Sequence, residues 1–274
     1  MNRFSVFFMC FFLGLSAAWA GDSGQVIRIC GSGDNQELLR RLAQAHEASH
    51  PGLRIEVPDS IGSSGGVKAV ARGQCDLGRL ARPLRAKEQE PGLSYRPFAR
   101  SPVVFLVSGN LRGLAAITAQ QVVRIFAGKM TSWQDMNGPA GPIYVANREK
   151  GDSSRTVLEH QMIDFALIAK PQGQTIYSTP ETVAIVADHD NTIAYAPLAA
   201  TMNEPRVHVL AFESNRPSVE ALATGHYPLA VDFGLVWRAD LSPAAQGFID
   251  FLDTAEAATI ITSHGALPVP AEQR

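Results

Sequence analysis

The 274-residue chain has no surplus of basic charge: 24 Lys and Arg stand against 26 Asp and Glu, for a net charge of −2. Nonspecific nucleic-acid binding depends on neutralising many phosphates, so that function is disfavoured. No segment carries the roughly 18 consecutive apolar residues of a membrane-spanning helix. Cysteine is scarce, with three in all and no Cys-x-x-Cys pair, which leaves a thioredoxin-like redox role without support. Also missing are a Gly-x-Ser-x-Gly nucleophile elbow, an internal repeat, a low-complexity tract and a long run of like charge. Disorder is excluded as well, because 46% of the residues are hydrophobic. The length suits one large domain or two ordinary ones, each able to bury a core.

The N-terminus reads as an export signal. Arg3 supplies positive charge, residues 6–15 form a short apolar stretch, and Ala18-Trp19-Ala20 places small residues where signal peptidase cuts. Residues 1–20 are therefore expected to be a cleaved signal peptide, leaving a periplasmic protein that begins at Gly21. Cys10 lies inside the discarded stretch. The other two cysteines, Cys30 and Cys75, sit in an oxidising compartment that permits a disulfide. Two buried thiols are the alternative, since neighbouring parallel strands can hold the Cα atoms beyond the roughly 7 Å that a bridge tolerates. Both readings stay open.

From residue 25 onward, strand and helix patterns alternate. Residues 26–30 form a β-rich run ending in Gly31-Ser32-Gly33, after which Asp34 and Glu37 resemble a capping box ahead of Leu38, Leu39, Leu42 and Ala45. Pro51-Gly52 stops that helix, and Leu53, Ile55 and Val57 alternate as a strand. Residues 62–66 then open a helix carrying Val67, Val70 and Ala71, and a third strand starts near Asp76. This order implies a parallel sheet covered by helices on both faces. Residues 102–107 read as an apolar crossover. Thr118 caps a helix closed by Gly128, and a strand at 143–146 leads through Arg148 to a polar turn and another helix. Further strands are expected at 193–197 and 207–212, and a final helical region at 245–261.

Three strand-to-helix turns are rich in Gly, Ser and small polar residues: 31–35, 62–66 and 151–154. In an open α/β sheet such turns gather at the carboxyl ends of the strands. Each helix start offers unpaired N–H groups and the positive end of a dipole, which suits an anion. Ser32, Ser63, Ser153 and Ser154 add hydroxyl donors, and Arg148 brings a fork-shaped guanidinium that matches an oxyanion.

On these residues the chain resembles the phosphate-binding proteins of bacterial phosphate ABC transporters, a family of periplasmic solute-binding proteins. Ile61-Gly62-Ser63-Ser64-Gly65-Gly66-Val67-Lys68 is similar to the family's second anion-binding turn. Arg148-Glu149-Lys150-Gly151-Asp152-Ser153-Ser154-Arg155 resembles its Arg-x-x-Gly-Ser-Gly-Thr signature. Ile125-Phe126, Gly128-Lys129 and Trp133 follow its Ile-Phe-x-Gly-Lys-x-x-x-Trp stretch, and residues 193–198 and 227–229 match later landmarks. The resemblance implies a two-lobed α/β fold of the periplasmic-binding-protein kind, each lobe a mostly parallel sheet flanked by helices, joined by a two-stranded hinge. Lobe 1 would combine residues 21–104 with 202–274, and lobe 2 would be 105–201. It implies capture of inorganic phosphate between the lobes and delivery to an inner-membrane permease, by a monomer with no catalytic residue and no cofactor.

Carried over by position, the family's ligand contacts fall on Asn35, Gln36, Ser63, Ala81, Arg148, Asp152, Ser153 and Ser154. The family's carboxylate is Ala81 here, its threonine is Asn35, and its signature serine is Asp152. The opposite changes at Ala81 and Asp152 suggest that an acceptor has moved to the facing lobe. Arg79 and Arg82 flank Ala81 as possible sources of extra positive charge. Another oxyanion, or a phosphate-sensing role outside transport, is an alternative. A serine hydrolase built on Ser32 is a further one, although no base lies nearby in sequence. His46-Glu47-Ala48-Ser49-His50 matches H-E-x-x-H, but Pro51-Gly52 ends the helix immediately and no third ligand follows, so no metal site is expected.

Overall fold

Glycine-rich turns and alternating apolar runs set the positions of the elements. The structure, a computed structural model, describes residues 24–89 and 92–270. The export signal at residues 1–20, with Cys10 and the start at Gly21, lies outside those residues. In chain order the elements are β1 (Gln25–Gly31), α1 (Gln36–Ala48), β2 (Leu53–Glu56), α2 (Gly62–Ala71), β3 (Leu77–Leu80), β4 (Leu93–Ser108), β5 (Ala116–Ile117) and α3 (Ala119–Phe126). They continue with β6 (Tyr144–Arg148), α4 (Ser153–Gln161), α5 (Ile163–Ala166), β7 (Gln174–Ile176), α6 (Thr179–Asp188), β8 (Thr192–Pro197), β9 (Val207–Val209) and β10 (Ala211–Phe212). The last are α7 (Val219–Ala223), β11 (Ala230–Arg238), α8 (Pro243–Phe251), α9 (Ala255–Ser263) and β12 (Leu267–Pro268). Among the described residues no helix is long and apolar enough to cross a membrane.

The main sheet runs β2-β1-β3-β11-β4-β8-β6-β7, with β9 and β12 also paired to β4. It is parallel at both ends, where helical crossovers return the chain in the same direction: β2, β1 and β3 at one end, β8, β6 and β7 at the other. The middle is antiparallel, because β11 and β8 run against β4. The 16-residue β4 belongs to both ends: its 93–102 stretch pairs with β11, and 103–107 pairs with β8. β8 is buried at all six positions, as a strand covered on both faces must be. The 207–212 stretch is two short strands rather than one, β9 paired to β4 and β10 to β5. The final helical region is also broken, by a second cap at Thr254, whose side chain accepts from the Ala257 N–H.

Local signals behave as their chemistry dictates. Thr118 accepts from the Gln121 N–H while Gln121 reaches back to the Thr118 N–H, a complete capping box. Gly128 takes a left-handed φ of 69° just past the helix end. His46 is buried against Phe248 and Phe251 and stacks on His50 at 4.0 Å. Burial and the neighbouring His50 hold its pKa down. The helix stops at Ala48, so this pair works as packing at a helix end.

Cys30 and Cys75 form a disulfide with a Cα–Cα distance of 6.1 Å. The strand-spacing objection does not apply, because Cys75 precedes β3 in a loop that curls back through Gln74 N–H to Ala69 O and Asp76 N–H to Arg28 O. The bridge packs with Val67, Val70, Leu80 and Val236. It ties β1 to β3 around α2 across a sequence separation of 45. Replacing both cysteines by Ser is expected to cost about 2–4 kcal/mol of unfolding free energy in a urea titration; no change in midpoint would contradict this placement.

Candidate functional site

All three glycine-rich turns meet on one cavity of about 300 Å³ between the two halves of the sheet. Ser32 and Gly33 reach it from the end of β1, residues 60–65 from the start of α2, and residues 148–153 from the β6–α4 turn. Arg82, Arg85 and Tyr177 complete its wall. Two glycines make the approach possible. A Cβ on Gly66 would stand 2.8 Å from Cys30 O, so only glycine lets α2 lie against the end of β1. A Cβ on Gly33 would meet Pro180 Cδ at 2.8 Å and Thr179 N at 3.1 Å, which would force the halves apart. A wider groove of about 690 Å³ along Tyr144, Asp188, His189 and Asn191 brings no such turns together.

The helix starts differ in one useful way. Helices α3, α4, α6, α7, α8 and α9 have an N-cap side chain that accepts a first-turn N–H. Helices α1 and α2, preceded by Asn35 and Ile61, have no such cap. The four-residue α5 also lacks a side-chain cap, but of the three only the α2 start lines the cavity, and its dipole end is left to an external acceptor.

Arg148 ends β6 with only 4% of its surface exposed. Its Nε donates to Ile176 O at 3.2 Å, Nη1 to Thr179 Oγ1 at 2.7 Å, and Nη2 pairs with Asp152 Oδ2 at 2.8 Å. Burial pushes its pKa down, but Asp152, Asp34 and Glu149 more than offset this, and the guanidinium is held above the ordinary arginine value. Asp152 is fixed twice, since its other oxygen accepts the Arg155 N–H as the cap of α4. It therefore lines the cavity already engaged as a cap and a counter-ion. Ser153 is buried and lines the cavity, and Ser154 is fully buried behind it.

The first-half candidates divide. Ser63 lines the cavity, and its Oγ accepts the Ala81 N–H at 3.1 Å. Ser32 lines it too, with Oγ accepting from the Asp34 N–H. Arg82 lines it while gripping Glu88 through both carboxylate oxygens at 2.7 and 2.8 Å. Burial works against ionisation of Glu88, yet Arg82, the Arg85 N–H and Ser64 hold its pKa at about 2. Asn35 and Gln36 do not line the cavity: Asn35 Nδ2 donates to Leu80 O, and Gln36 Oε1 accepts from Arg79. Ala81 is a buried methyl that does not line the cavity and meets it only through its N–H to Ser63. Arg79 is not a surface cation. It is fully buried, and its guanidinium donates to the carbonyls of Ile29, Ser32 and Pro58, which pins β1, β2 and the first turn together.

Sequence reasoning missed the residue at the centre. Asp34, expected to cap α1, instead turns its carboxylate across the cleft. One oxygen accepts from Thr179 Oγ1 and the other from Ser154 Oγ at 3.4 Å. Thr179 is itself bound by Arg148, so the path runs Arg148, Thr179, Asp34. Burial, reinforced by Asp152, raises the Asp34 pKa to about 7 against the pull of Arg148 and the two hydroxyls. The available signal was a fourth turn of the same type, Ser178-Thr179-Pro180, at the start of α6. Arg85 adds a further link between the halves by donating to Gly151 O at 3.3 Å.

The unfolded chain releases the Asp34 proton near 3.8, whereas the folded protein keeps it until about pH 7. The native state thus binds more protons in between, and the stability contributed by this group falls as pH rises from 4 to 7. The melting temperature of Asp34→Asn relative to wild type is expected to climb over that window. A difference that stays constant with pH would contradict the assignment.

A family described as the PBP superfamily domain matches residues 16–256. The phosphate-binding protein PstS of Bacillus subtilis is 24% identical over 248 residues, covering 89% of this chain and 80% of that protein. PstS of Borreliella burgdorferi is 21% identical over 264 residues, covering 90% and 91%. Among solved structures, a substrate-binding protein assigned to phosphate ABC transport in Clostridium perfringens, with phosphate bound, superposes with a TM-score of 0.77 at 22% identity, over 89% of this chain and 100% of that one. An ABC-type phosphate transport receptor from Vibrio cholerae gives 0.63 at 22% identity, over 88% and 99%.

Proposed function

The chain belongs to the PBP superfamily, and from that premise we propose that it is an extracytoplasmic solute-binding protein that captures inorganic phosphate and delivers it, as a monomer, to an inner-membrane ABC permease. The observation that carries this reading is the convergence of helix starts from both halves of the sheet, with the Arg148 guanidinium, on one cavity. The relatives named phosphate-binding proteins span nearly the whole chain and support the same ligand. The lobes are proposed as 21–104 with 202–274, and 105–201, with β4 and the 198–207 return as the hinge. The signal read at residues 1–20 supports a periplasmic location.

The mechanism follows from dividing the donors. One side offers the uncapped start of α2 with Ser32 and Ser63; the other offers Arg148 with Ser153, Ser154 and Thr179. An oxyanion meets both sets only when the halves are together, so closure gains contacts that the open form lacks. That difference in affinity draws the population to the closed form. Binding and release are the whole cycle, with no bond made or broken.

Arg148→Ala removes the cleft's buried cation, and is expected to cost about 2–5 kcal/mol of phosphate affinity by isothermal calorimetry. Circular dichroism would establish that the variant folds. Affinity within a few tenths of a kcal/mol of wild type would refute the role.

A further inference from the structure

We propose that Asp34 is an internal competitor for the oxyanion: its carboxylate holds the Ser154 and Thr179 hydroxyls that a guest beside Arg148 requires, and so sets how tightly that guest is bound. This rests on the phosphate reading above. A carboxylate presents two acceptor oxygens and a negative charge, as an oxyanion does. Asp34 sits on the first half of the molecule, yet the hydrogen-bond partners of its carboxylate belong to the second: Ser154 on α4, and Thr179 on α6, which Arg148 of β6 binds in turn. Local structure does not call for a carboxylate there, because it caps nothing on α1.

The charges around Asp34 fix the direction of the effect. Arg148 and Asp152 face it from the β6–α4 turn, and Glu149 stands 3.8 Å from the Arg148 guanidinium. From β3, Arg79 is committed to Gln36 and three backbone carbonyls. One cation is therefore shared by two buried carboxylates before a guest arrives. A further anion is accommodated most readily when one carboxylate takes up a proton. Asp152 is fixed by Arg148 and by the Arg155 N–H, so the proton goes to Asp34, which then gives up its claim as an anion.

The test compares wild type with Asp34→Asn, titrated with inorganic phosphate in a calorimeter at pH 5.5 and pH 8.5. Taking the ratio of the two affinities cancels the ionisation of phosphate itself. Near pH 5.5 the two proteins are expected to bind alike. At pH 8.5 the variant should bind more tightly, by up to roughly 30-fold for a competing group that titrates about 1.5 pH units lower. An unchanged ratio, or weaker binding by the variant at pH 8.5, overturns the proposal; the second result would make Asp34 an acceptor for the proton of the guest. Binding by neither protein at either pH overturns the phosphate reading and this proposal with it. Should the Asn protein fail to fold by circular dichroism, Asp34→Ser provides the same comparison.

Discussion

A guanidinium taken out of water has to be surrounded by acceptors, and the placement of Arg148 governs the rest of this site. It lies at the end of β6, where the chain leaves the sheet, and receives acceptors from three directions: Ile176 O from β7, Thr179 from α6 and Asp152 from the cap of α4. Ile176 and Thr179 flank the β7–α6 turn and Asp152 ends the β6–α4 turn, so the charge holds those two turns in register. Asp34 then joins the opposite half of the molecule to the same network through Thr179 and Ser154. A buried charge cluster of this kind adds little net stability, because desolvation offsets the attraction. Its consequence is geometric: the two halves can meet in only a few ways that leave these groups satisfied.

The sheet explains how that geometry coexists with motion. Both ends are parallel and flanked by crossover helices, so their turns gather on one side. The halves share the long strand β4, which changes partner from β11 to β8 between residues 102 and 103. A continuous strand bends at such a change more easily than a packed layer deforms, which suits relative movement of the halves about β4. The disulfide and buried Arg79 act elsewhere. They stiffen the β1–β3 region that carries two of the three turns, so that half behaves as one body.

Much of this was legible in the residues. The alternation of strands and helices, the stops at Pro51-Gly52 and Gly128, the Thr118 cap and the three turns follow from short-range patterns of apolar spacing and backbone freedom, whereas the antiparallel middle of the sheet does not. The site was legible as a set of turns, but not as a network. Asp34 beside Glu37 is indistinguishable in sequence from an ordinary cap; only the long-range meeting with Thr179 and Ser154 reveals otherwise. Arg79 reads as a source of positive charge for the site because nothing nearby in sequence announces the carbonyls of Ile29 and Pro58 that absorb it. The distance between Cys30 and Cys75 depends on how a loop curls ahead of β3, which apolar periodicity does not encode.

The most direct measurement is a crystal structure of the protein grown with inorganic phosphate. The account predicts one tetrahedral anion between the halves, within hydrogen-bonding distance of Arg148 and of the starts of α2 and α4. Phosphate bound elsewhere on the surface, with Arg148 still held only by its protein acceptors, would contradict it.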